Sequence, residues 1–136
     1  MRSWTASTTL KTGVWQHVAG VYDGEQARIY VDGKLIASET RKGNRKTNPL
    51  PLAIGADVTE SGGAMSHFDG QIDAVRVSTQ ARYAGEAVDI DRRLATDDAT
   101  ILLLNMDGTF GPWVLDESPR GANATLVGKP AIKTAD

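Results

Sequence analysis

The chain has no cysteine. That excludes a disulfide scaffold, a thiol nucleophile, a Cys-ligated zinc and an iron–sulfur cluster. Histidine is nearly as scarce, with only His17 and His67 for imidazole chemistry. No apolar run approaches the roughly 20 residues of a membrane helix, so no membrane partner is expected. The segment Met1-Arg2-Ser3-Trp4 lacks the apolar core of a secretory signal. Nor is there an excess of one charge. Fifteen Lys and Arg stand against seventeen Asp and Glu, a net charge of −2, which argues against a nucleic-acid partner. What is present is ordinary globular composition over 136 residues, 40% hydrophobic and 24% charged. That suffices for one core.

Glycine is frequent, and Val, Ile, Thr and Tyr cluster in short runs. This pattern predicts an all-β chain. Trp15 to Tyr22 reads as the first strand, central in a sheet because Val18, Ala19 and Val21 load both faces. Asp23-Gly24 is a hairpin-type turn. Ala27 to Val31 alternates, with Ala27, Ile29 and Val31 on one face. Asp32-Gly33 turns again, and Lys34 to Thr40 returns. Two such turns around one strand make a meander.

Arg41 to Pro51 is a polar loop carrying Arg41, Lys42, Arg45 and Lys46. It reads either as an anion or acidic-sugar patch or as a solvated hairpin tip. Pro51 to Gly55 is a short predicted strand and Asp57 to His67 a Gly- and Ser-rich loop. Phe68 to Ser78 is the longest strand pattern. Glu86 to Asp98 has the composition of a linker or surface crossing.

Four blocks now acquire a meaning together. They are Gly13 to Gly24, Ala27 to Lys34, Leu52-Ala-Ile-Gly55, and Phe68 to Ser78 followed by Ala81-Arg-Tyr83. In order and spacing they resemble the laminin-G-like jelly roll of the concanavalin A-like lectin/glucanase superfamily. The resemblance implies an antiparallel β-sandwich, matching the strand reading. It also implies a non-catalytic binding module for carbohydrate or a glycoprotein surface, commonly extracytoplasmic; the alternative is a structural or protein-assembly domain.

The C-terminal third resembles the opening of such a domain, placed after the closing strand. Thr100 to Thr109 looks like its first apolar strand, and Val114 to Gly128 like the loop and strand that follow. The chain therefore reads as a shortened, permuted sandwich or a window from a tandem array. Residues 1–83 supply the jelly-roll core strands, 84–99 a linker, and 100–136 an opening segment. That segment completes the same sandwich or a neighbour's. Exposing the four large side chains of Ile101 to Leu104 would forfeit about 1.5–3 kcal/mol each, so this strand needs a sheet. Its nearest partner is Phe68 to Ser78, and the bare edges of an unclosed sandwich point to a homodimer.

Catalysis has little to work with. Glucanases of the superfamily carry a Glu-x-Asp-x-x-Glu strand, and none occurs here; Asp89 and Asp91 form the nearest pair. The resemblance points instead to a structural calcium ion at Asp107, Asp116, Asn123 and Asp73. Those residues read equally well as turn caps with Asx-type bonds. Aromatic rings that could stack on a sugar are Trp113, in a Gly-Pro-Trp loop, and separately Tyr83 and Trp4. Trp15 is expected in the core and His17 packed inside a strand, while His67, in a loop, could touch a ligand.

Overall fold

The computed structural model describes residues 10–43, 47–128, 130, 131 and 133. Among them there are ten strands and no helix, and every register that can be read is antiparallel. The all-β fold read from the sequence is the fold observed. The chain divides into two compact units, one within 1–44 and 78–93, the other within 45–77 and 94–136.

The first unit is the meander. Its strands are β1 (Val18–Tyr22), β2 (Gln26–Val31) and β3 (Lys34–Thr40), in the order β1-β2-β3. Register fixes the second turn as two residues, because Val31 pairs with Lys34. Asp32 has φ +48° and Gly33 φ +75°. Two positive φ values in a two-residue loop are what a type I′ hairpin requires, and Asp-Gly is the pair that tolerates them. The first turn is held by Asp23, whose Oδ1 accepts the N–H groups of Glu25 and Gln26 at 3.0 and 2.8 Å.

Three expectations change here. Among the described residues β1 pairs only with β2, so it is an edge strand and β2 is central. Trp15, expected in the core, is 66% exposed and precedes the strand. The buried ring is instead Tyr30, fully covered, on the side of β2 opposite Ala27, Ile29 and Val31. Its hydroxyl donates to the Gly85 carbonyl at 3.0 Å, and its ring meets Tyr83 edge-on at 5.8 Å. The stretch read as a linker also takes part. Leu35 N–H donates to the Glu86 carbonyl, and Val88 N–H to that of Gly33.

The second unit holds short strands. β4 (Asp57–Val58) and β5 (Ala64–Met65) form a hairpin inside the segment read as a loop. Pro51 to Gly55 is not a strand. Of the long run from Phe68, only β6 (Val75–Ser78) is strand, and it pairs with β7 (Thr100–Leu104). The C-terminal segment thus meets its expected partner within one chain. β7 supplies the core, with Thr100, Leu103 and Leu104 each 1% exposed.

Three further strands follow, β8 (Thr109–Phe110), β9 (Trp113–Val114) and β10 (Ala124–Thr125), in the order β10-β9-β8. The loop between β8 and β9 is Gly111-Pro112. Gly111 has φ +61°, and proline fixes the next φ near −65°. That combination suits a type II′ hairpin, with glycine at its first central position.

Candidate functional site

The β8–β9 hairpin places two aromatic rings on adjoining strands. Phe110 pairs directly with Trp113, and their rings stack with centroids 6.4 Å apart and planes 25° from parallel. Neither ring is buried: Phe110 is 76% and Trp113 42% exposed. β10 braces the hairpin from the other side, with Thr125 opposite Trp113 and Leu126 N–H donating to the Pro112 carbonyl at 2.8 Å. The rings therefore sit on paired backbone.

An open cleft of about 360 Å³ has Phe110, but not Trp113, in its wall. Its exposed surface is mostly apolar, with Met106 and Leu115 among the lining residues; Asn105, Asp107 and Glu117 bring the polar groups. Asn105 is buried and donates through Nδ2 to Glu117 Oε2 at 2.9 Å. Met106 adopts φ +55°, a conformation uncommon for a residue with a side chain. The strained residue lies between the buried amide and Asp107, on the cleft wall. A volume of this order accommodates a small ligand.

The four residues expected to bind calcium fall as follows. Asp116 is buried, and both its oxygens are engaged. Oδ1 accepts Leu103 N–H at 2.8 Å and Ser118 N–H at 2.9 Å; Oδ2 accepts the Ser118 hydroxyl at 2.8 Å and Ala122 N–H at 2.7 Å. Burial pushes this carboxyl upward. The donors from Leu103, Ser118 and Ala122 outweigh that and hold it below the ordinary aspartate range. Asn123 adjoins it, its Oδ1 accepting Asp116 N–H at 2.9 Å. Asp107 is on the cleft wall, and Asp73 is exposed just before β6. Among the described residues no three of His, Asp or Glu form a group that could hold a metal ion. Calcium takes six to eight oxygens, and on Asp116 it would have to displace protein donors. The bonds Asp116 makes to Ser118 and Ala122 are those of a turn cap.

The three residues expected to touch a ligand also take definite places. Trp113 lies in β9, not in a loop. His67 is exposed in the second unit, directly before Phe68, whose N–H donates to the Gly55 carbonyl. Tyr83 belongs to the first unit, where its ring meets Tyr30 and, edge-on at 5.9 Å, His17. Trp4, Arg45 and Lys46 lie outside the described residues. Phe110 went unread in the sequence, although Gly-Pro between two strand-forming pairs, Thr-Phe and Trp-Val, is a hairpin signal that sets positions 110 and 113 opposite each other.

Residues 1–87 match a laminin G family model described as the concanavalin A-like lectin/glucanases superfamily. The match spans more than half the chain, and the chain belongs to that superfamily. No curated protein and no solved structure matches it. Laminin-G-like domains are generally non-catalytic binding domains, and membership supports a lectin-like binding module.

Proposed function

We propose that the chain is a non-catalytic module that binds carbohydrate, with the Phe110–Trp113 pair as the stacking platform. One observation carries this reading: two exposed aromatic rings stand on a braced hairpin beside a cleft bearing amide and carboxylate groups. A ring face stacks on the C–H face of a pyranose, while carboxylates and amides accept hydrogen bonds from its hydroxyls. Tyr83 packs edge-on against Tyr30 and His17 in the first unit, and the proposal does not use His67. Titration of a panel of soluble oligosaccharides by calorimetry tests the proposal. Binding by the wild type, lost in Trp113→Ala, is the expected result. Release of reducing sugar from the same panel would contradict the non-catalytic reading.

A second reading, assembly with another copy of the chain, is favoured by Trp15, Val18 and Ile36, large apolar side chains exposed on the first unit. Light scattering tests it. A mass near twice 14.5 kDa supports assembly, and a mass near 14.5 kDa contradicts it.

A further inference from the structure

We infer that the cleft beside Phe110 holds the acetamido group of an N-acetylated amino sugar, so that the module prefers N-acetylhexosamine glycans to unsubstituted hexose glycans. The inference rests on the carbohydrate reading above and names the class of sugar. Its basis is the surface of the cleft, which is mostly apolar. Met106, Phe110, Val114 and Leu115 line it, and Leu115 is 59% exposed. An unsubstituted hexose carries hydroxyls at its free ring positions. A hydroxyl pressed on such a wall loses water without gaining a partner. An acetamido group brings a methyl to the apolar surface. Its N–H donates and its C=O accepts, so it suits the remaining polar surface in either sense. A 6-deoxy sugar brings a methyl alone.

Two features put that group beside a stacked sugar. Phe110 belongs to both places: its ring stacks with Trp113, and it forms part of the cleft wall. A glycan lying on the rings therefore presents its ring substituents to the cleft. The cleft is also held in shape. The segment after β7 and the segment after β9 both line it. They are tied by Asn105 Nδ2, which donates to Glu117 Oε2 at 2.9 Å, and by Glu117 N–H, which donates to the Leu103 carbonyl at 2.8 Å. Gly108 lines the cleft too, with open space where a side chain would stand. That leaves room for a substituent against the backbone.

The experiment is calorimetric titration of the full chain with three hexasaccharides of one linkage that differ only at carbon 2. Cellohexaose carries a hydroxyl there, chitohexaose an acetamido group, and the glucosamine hexamer an ammonium group. The expected result is chitohexaose bound at least about fourfold more tightly than cellohexaose, the factor for burying one methyl group. The double variant Met106→Asn, Leu115→Asn should abolish that preference while changing cellohexaose binding about twofold or less. Asparagine is chosen because it tolerates the φ of +55° at Met106. If the double variant melts lower than wild type, Leu115→Asn alone, at an exposed position, replaces it. Equal binding of cellohexaose and chitohexaose overturns the inference but leaves the carbohydrate reading standing. So does tightest binding of the glucosamine hexamer, which would mean that charge selects the ligand. No binding by any of the three overturns the inference, and the wider oligosaccharide panel then decides the carbohydrate reading separately. A preference unmoved in a variant that melts as wild type overturns the assignment to this cleft.

Discussion

Asp116 Oδ1 accepts the backbone N–H of Leu103 at 2.8 Å, and the N–H of Glu117 donates back to the Leu103 carbonyl at the same distance. This exchange locks the segment after β9 onto the middle of β7. It takes place where Leu103, Leu104, Val114, Asp116 and Ser118 are all buried. The polar hub and the apolar core of the second unit are thus one structure. Removing the hub leaves several backbone donors without their acceptor.

Asp116→Ala should therefore destabilise the protein by about 2–3 kcal/mol, since losing the partner of a buried donor costs more than a typical hydrogen bond contributes. Asp116→Asn, which keeps one acceptor oxygen, should cost less. Urea unfolding measures both. Equal stability of Asp116→Ala and wild type would show that water replaces these bonds.

Acid should act through the same carboxylate and two others. Asp23 is held down to about 2, first by the Gln26 N–H and then by that of Glu25 and by Arg28. Asp32 is lowered mainly by the backbone N–H of His17. A folded-state pKa below the unfolded value of about 3.9 gives stability that is present above that value. It is lost as pH falls through the folded-state values. The melting temperature should be flat near neutrality and fall below about pH 4. The fall should be shallower in Asp116→Asn. A melting temperature unchanged down to pH 2 would contradict this assignment.

Calcium offers a direct check on the capping role. With Asp116 bonded to four donors and Asn123 to one, millimolar calcium should leave the melting temperature unchanged. A calcium ion bound to the native state would raise it by mass action, and a rise abolished by Asp116→Asn would show that the ion displaces those donors.

Gly33 tests the first unit. A Cβ there would collide with the Val88 carbonyl oxygen, and the residue sits at φ +75°. Gly33→Ala should cost about 1–3 kcal/mol. Gly20, in β1 with open space around its Cα, is the control. Gly20→Ala should be neutral or stabilising by about 0.5–1 kcal/mol.

Much of this architecture was legible in the residues, for a local reason. Asp32-Gly33 supplies the two positive φ angles its turn requires, so β2 and β3 were readable to within a residue. Ile101 to Leu104 announces a buried strand by continuous apolarity, and its pairing with Val75–Ser78 followed from the resemblance. What escaped was decided by distant contacts. Trp15 looks like core by composition, yet the covered ring is Tyr30, because Gly85 and Tyr83 return over that side of β2. Glu86 to Val88 looks like a linker by charge, but its backbone bonds to Gly33 and Leu35 carry no side-chain signature. At the candidate site Trp113 was visible as an aromatic residue after Gly-Pro. Phe110 gains its role only when the hairpin register sets it opposite Trp113.

The central claim is carbohydrate binding on the Phe110–Trp113 platform, and calorimetric titration of wild type and Trp113→Ala with the best-bound oligosaccharide tests it most directly. Stacking on one aromatic ring contributes roughly 0.5–1.5 kcal/mol beyond its buried area, a factor of about 2–12, so the variant should bind at least severalfold more weakly with its melting temperature little changed. Oligosaccharide binding of undiminished affinity in Trp113→Ala, or none by the wild type at millimolar ligand, would contradict the account.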